Sequence, residues 1–162
     1  MPEVSMKYVV AFSSPKRSSK TIETAVSQAR STDAEIVLVR LIPDPGKVGI
    51  VAQLISSDRP LDKARMQIDQ CVEELKARGI KASGIVKMGE VAQGIIDTAR
   101  ELGADMLYVG TTSVGGRQFF MMKKDPSVHY LVEHCPISLC LVRHDISLES
   151  AVEHDEEVEL GE

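Results

Sequence analysis

Five short apolar runs alternate with four connecting segments, each of which carries a helical stripe, and this alternation limits the chain to few folds. The runs are Met6–Phe12, Ile36–Ile42, about Lys81–Lys87, Asp105–Gly110 and Ile137–Val142. They are rich in Val, Ile and Leu and do not alternate apolar with polar residues, which marks strands buried on both faces. Between them, Ile22, Ala25, Val26 and Ala29 fall at helical spacing, from about Ser18 to Ser31. So do Ala64, Ile68, Cys71, Val72 and Leu75, then Val91, Ile95, Ile96, Ala99 and Leu102, then Val128, Leu131, Val132 and Cys135. Gly79 and Gly103 follow two of these stripes, where a left-handed cap is expected. Pro43-Asp44-Pro45-Gly46 ends the second strand and opens a long connection over 43–60; Pro136 ends the last helix, for which Ser127 is the expected N-cap. Strict strand–helix alternation predicts an α/β, flavodoxin-like or Rossmann-like three-layer sandwich on a five-stranded parallel sheet. The expected strand order is 3-2-1-4-5.

The 162 residues suit one such domain. No apolar run approaches the ~20 residues of a membrane span, so no membrane partner is expected. Met1 to Lys7 lacks the features of a secretory signal, which predicts a cytoplasmic protein. Cys71, Cys135 and Cys140 show neither CxxC nor zinc-ligand spacing and read as small core residues. The net charge of −5 is set by the end of the chain. Residues 144–162 hold eight acids and no Lys or Arg, which leaves sixteen acids against nineteen bases, or +3, for residues 1–143. That division predicts a domain over 1–143 and an acidic, solvated tail over 144–162. A body so mildly basic lacks the clustered face of a specific nucleic-acid binder.

In a doubly wound sheet of this order a ligand sits outside the carboxyl ends of the first and fourth strands. Phe12 to Arg17 would line one side and Gly110 to Arg117 the other, with Leu41 at the end of the second strand nearby. In Gly110-Thr111-Thr112-Ser113-Val114-Gly115-Gly116-Arg117 the glycines permit close backbone approach, and the hydroxyls and amides can donate to an anion. The helix start at Ser127 and Val128 would add free N–H groups, and Lys16, Arg17, Arg117, Lys123 and Lys124 could surround the site. A plain solvent loop fits the same residues, since the stretch matches neither the Walker nor the GxGxxG pattern.

Several motifs stand together along the chain: Tyr8-Val-Val-Ala-Phe12 with its Ser-rich stop, Met88-Gly89-Glu90-Val91 leading into Ile95, Ile96 and Ala99, Gly103-Ala-Asp105-Met-Leu-Tyr-Val-Gly110, Ser127-Val128, and His134-Cys-Pro-Ile-Ser-Leu-Cys-Leu-Val142. Through them the chain resembles the universal stress protein family, and the resemblance covers about residues 6–143. It implies a small regulatory or stress-resistance protein, usually homodimeric, in a family that divides into members that bind ATP and members that do not. ATP-binding members carry Gly, two residues, Gly, nine residues, then Gly and Ser or Thr. Gly116 and Ser127 reproduce the second half, but Pro126 occupies the last glycine's place, Ser113 the first glycine's, and Ser13 the place of an Asp after the first strand. Proline can neither adopt positive φ nor donate an N–H, so the motif is degenerate and weighs against ATP as cofactor.

The remaining candidates point away from catalysis. Ser13 and Ser14 have no nucleophile elbow around them and read as turn and cap residues. His129 and Glu133, four apart on a helix, read as a surface pair without a third metal ligand. Phe119-Phe120-Met121-Met122 reads as helix packing, with a protein-partner surface as the alternative. The last strand, with Ile137, Leu139 and Leu141, lacks charge and internal proline, and as an edge strand it is expected to pair with a second copy. Three functions follow as expectations: a non-enzymatic homodimeric stress regulator taking a nucleotide or other anion, an ATP-binding relative with slow hydrolysis or nucleotidyl transfer, and a pure interaction scaffold.

Overall fold

Apolar runs that alternate with amphipathic stripes bury most surface when strands lie side by side between two helix layers, and a computed structural model shows that arrangement. It describes residues 5–43, 59–112 and 126–144. The strands are β1 (Lys7–Ala11), β2 (Glu35–Ile42), β3 (Ala82–Met88), β4 (Met106–Thr112) and β5 (Ser138–His144). They form one all-parallel sheet in the order β3-β2-β1-β4-β5, as expected. The helices are α1 (Ser19–Thr32), α2 (Arg59–Ala77), α3 (Val91–Leu102) and α4 (Pro126–His134). Among the described residues no helix is long and apolar enough to cross a membrane.

Alternate strand residues feed two cores. Tyr8, Val10, Ile36, Leu38 and Tyr108 pack with Ile22, Val26, Ile68 and Leu75 of α1 and α2 on one face. Val9, Val37, Val39, Leu107 and Val109 pack with Ile95, Ile96, Ala99 and Leu131 of α3 and α4 on the other. Cys71 is buried, while Cys140 and Cys135 lie half-buried against the first and second core; all three are free. Gly79 and Gly103 stand at φ +81° and +65°, in the cap geometry expected of them. Asp33 plays the same part after α1 at φ 53°, unforeseen because no glycine marks it.

Three boundaries differ from expectation. Strand β4 runs on through Gly110, Thr111 and Thr112 instead of turning at Gly110, because β5 also continues and pairs Gly110 with Val142, Thr111 with Arg143 and Thr112 with His144. His144 is therefore the last residue of an edge strand. Helix α4 begins at Pro126, so Ser127 lies inside the first turn instead of capping it. Proline suits that first position, where its missing N–H would have had no helical partner. Ile137 precedes β5 and packs against the second core.

Candidate functional site

At the carboxyl end of the sheet the two central strands part. β1 and β4 are paired only through Tyr8–Met106, Val9–Leu107 and Val10–Tyr108. Beyond that point β1 stays with β2, through Ala11–Val39 and the Phe12 N–H donating to the Val39 carbonyl at 2.8 Å, while β4 stays with β5 to Thr112. The edge of β4 that faces β1 thus has no strand partner from Val109 to Thr112 among the described residues. This opens the switch-point crevice where a ligand binds in such sheets.

One wall is the turn from β1 into α1, tied together by serines. The Ser18 hydroxyl accepts from the Ser13 N–H at 2.9 Å and lies 3.2 Å from the Ser13 hydroxyl. The Ser14 hydroxyl accepts from the Arg17 N–H at 3.2 Å, and the Ser14 carbonyl accepts from the Ser18 N–H at 2.9 Å. Ser14 and Ser18 are buried. Turn and cap duty is thus the role the structure gives Ser13 and Ser14. Ser18, read in sequence only as the approximate start of the first helix, is the residue on which the turn closes.

The other wall is β4. A side chain at Gly110 would place its Cβ 2.6 Å from the Thr21 hydroxyl of α1 and 3.4 Å from His144 Nε2. Gly110 is a residue of β4, where the sequence placed the end of the fourth strand, and its lack of a side chain lets α1 approach the sheet. Thr21 is 1% exposed and its hydroxyl has no hydrogen-bond partner among the described residues. Thr111 follows in β4, half-buried. Leu41 is buried, and a Cβ on Gly94 of α3 would come within 2.5 Å of it, so it belongs to the packing between β2 and α3. Val128 packs on the second core. Gly115, Gly116 and Arg117 lie outside the described residues, as do Ser113, Lys123, Lys124 and the run Phe119–Met122.

Lys20, Thr21 and His144 also meet at this end, and the sequence analysis missed them. Lys20 Nζ donates to the Arg143 carbonyl at 2.5 Å, joining the first turn of α1 to the end of β5. No motif marks them, because only the position of α1 over β4 and β5 brings them together.

Other features lie elsewhere. His129 Nε2 and Glu133 Oε1 form the expected pair at 3.2 Å, with both side chains 55% exposed. A concavity of about 270 Å³ lies at the opposite, amino end of the strands, lined by Arg30, Asp33, Arg78 and Lys81 among others. Its cations are largely taken: Arg78 holds Glu23 with both guanidinium nitrogens, and Lys81 lies 3.3 Å from Asp33. Helix carboxyl ends also converge there and disfavour anions. At the edge of the sheet Leu141 is 43% exposed, whereas Leu139 packs on the second core.

No curated protein matches the chain in sequence. In structure it is similar to the universal stress protein of Archaeoglobus fulgidus, with a TM-score of 0.68 at 16% identity, covering 86% of this chain and 99% of that one. The structure of the universal stress protein from the same organism in complex with dAMP gives 0.66 at 16% identity, covering 86% and 98%. An Arabidopsis thaliana universal stress protein family protein with AMP bound gives 0.57 at 17% identity, covering 86% and 91%. The match to the model of the universal stress protein family runs over residues 6–143, from β1 to the penultimate residue of β5, and the chain belongs to that family.

Proposed function

We propose that this protein is a non-enzymatic regulator of a stress response, that it works as a homodimer joined through β5, and that it takes a nucleotide or similar anion in the crevice between β1 and β4. The observation that carries this reading is the parting of the two strands after Val10 and Tyr108, which leaves the β1-facing edge of β4 without a strand partner from Val109 to Thr112 among the described residues. Support comes from the solved relatives with dAMP and AMP and from the exposed Lys16 and Arg17 on the adjoining turn. The non-enzymatic part is supported by the serine hydroxyls of this turn, which are engaged in its hydrogen bonds. The dimer is supported by β5's place at the sheet edge, with Leu141 exposed.

A thermal-shift series with AMP, ADP, ATP and pyrophosphate, with and without Mg²⁺, tests the ligand. A bound anion at 100 times its Kd stabilises the fold by ~2.7 kcal/mol. Absence of any shift sinks the ligand reading, and phosphate release from ATP at a steady rate sinks the non-enzymatic one. Light scattering tests the dimer, which Leu141→Pro should dissociate by removing a ladder donor at the edge. A monomer mass for the unmodified protein refutes it.

A further inference from the structure

We propose that two copies of this chain pair their β5 strands antiparallel in one register, with the two-fold axis at Leu141, so that Leu141 and Val132 of both copies close an apolar patch over the junction. This register rests on the reading of a homodimer joined through β5. β5 is the outer strand beside β4, and its other edge has no strand partner among the described residues. Leu139 packs on the second core, so Leu141 and Arg143, two and four residues on, project to the same face of the sheet. Leu141 is nevertheless 43% exposed, and Val132 of α4, the helix on that face, is 56% exposed. α4 meets α3 through the Tyr130 hydroxyl, which donates to Gln93 Oε1. Val132 follows Tyr130 by two residues and therefore points the other way, towards the edge of the sheet. Met6, Met66 and Met88 are also exposed, but they stand singly, before β1, on α2 and at the end of β3.

The occupant is a second copy because the edge is complementary to itself. Residues opposed across an antiparallel ladder share a face, so a two-fold axis passes at a residue and opposes it to its own copy. Leu141 is the middle of the seven residues Ser138–His144. An axis there opposes Ser138 to His144, Leu139 to Arg143 and Cys140 to Val142, and every residue of β5 is paired. An axis one residue earlier or later leaves two of the seven outside the ladder. At the centre, leucine meets leucine. At either end Arg143 comes beside the start of the other strand, just after the carboxyl end of α4, where Glu133 and the helix dipole both supply negative charge. Glu133 is 55% exposed and open to such a contact.

Disulfide trapping reads the register. Opposed residues of an antiparallel pair lie about 4.5–5.5 Å apart at Cα, within the span of a disulfide, whereas diagonal neighbours lie about 7–8 Å apart. Under mild oxidation Leu141→Cys should form a covalent dimer at least about tenfold faster than the unmodified protein, whose free Cys140 would lie diagonal to its own copy. Peptide mapping should place the link between the two introduced cysteines. Arg143→Glu should raise the dissociation constant of the dimer at least about fivefold, and adding Glu133→Arg should restore it. This charge exchange keeps Leu141 and reads the same pairing should Leu141→Cys fail to fold. Linking of the unmodified protein through Cys140, or Leu139→Cys linking as fast as Leu141→Cys, overturns the register. An unchanged dissociation constant in Arg143→Glu, or no recovery on adding Glu133→Arg, overturns it too. In each of these cases a dimer mass in light scattering leaves the homodimer standing, whereas a monomer mass for the unmodified protein removes the homodimer and the register together.

Discussion

Gly110→Ala tests whether the glycine serves packing or ligand. The added Cβ would sit 2.6 Å from the Thr21 hydroxyl, well inside van der Waals contact. Thr21 is 1% exposed and β-branched on a helix, so its side chain has little freedom to turn away. Overpacking of this kind costs ~1–3 kcal/mol, offset in part by ~0.4–1 kcal/mol from the stiffer unfolded chain. The net loss should be ~1–2 kcal/mol, or about 2–8 °C in Tm for a domain of this size. Thr21→Ala removes a hydroxyl that has no partner among the described residues, so its gain in desolvation offsets the lost methyl packing and the single change should be close to neutral. In the double variant the alanine has room, and a coupling energy of ~1–2 kcal/mol should appear in a double-mutant cycle followed by urea denaturation. Additive costs, with coupling below ~0.5 kcal/mol, would refute the packing argument. A Gly110→Ala protein of unchanged stability that loses only ligand affinity would restore the anion-contact reading.

Three further outcomes follow from the coordinates. Burial, with Tyr8 and Cys140 nearby, pushes Tyr108 up to about 12 from the usual 10. The unfolded chain therefore ionises first as pH rises, stability present below pH 10 is lost by ~2–3 kcal/mol towards pH 12, and Tyr108→Phe should flatten that part of the alkaline denaturation profile. The hydrogen bond from Arg78, with its charge, holds the Glu23 carboxyl below its usual 4.5, so its small contribution is present above pH 4.5 and fades as pH falls through the lowered value. Both groups are largely exposed, so Arg78→Gln should cost no more than ~1 kcal/mol at neutral pH and shift the Glu23 titration seen by NMR back towards 4.5. Gly84→Ala on β3 should cost ~1–3 kcal/mol in chemical denaturation, because its Cβ would fall 2.1 Å from Ile68 Cγ2. Ile68→Leu, which removes that branch methyl, should relieve it, and an unrelieved loss would show that the clash lies elsewhere.

How the sheet splits at its carboxyl end depends on pairing that no local pattern reveals. The apolar runs and stripes were sufficient for the elements and for both cores, because period and burial are local properties of the chain: Val9 and Val10 must face opposite layers wherever β1 is placed. The caps at Gly79 and Gly103 were legible for the same reason, since positive φ selects glycine. Asp33 escaped because aspartate tolerates that conformation without requiring it.

The family, too, was legible, in motifs from Tyr8 to Val142. The roles of individual site residues were not. Gly110 looks the same in sequence whether it cradles an anion or makes room for Thr21, and only the position of α1 over β4 distinguishes the two. Leu41, read in sequence as the end of the second strand near the crevice, is buried in the second core beside Gly94. His144 was assigned to the acidic tail because the apolar run stops at Val142, yet β4 carries β5 two residues further through backbone hydrogen bonds, which do not depend on side-chain polarity. Sequence by itself therefore determined which residues are strands, helices and core, since these follow from periodicity. Tertiary structure alone decided which of the polar and glycine residues meet, since that follows from distances between segments far apart in the chain.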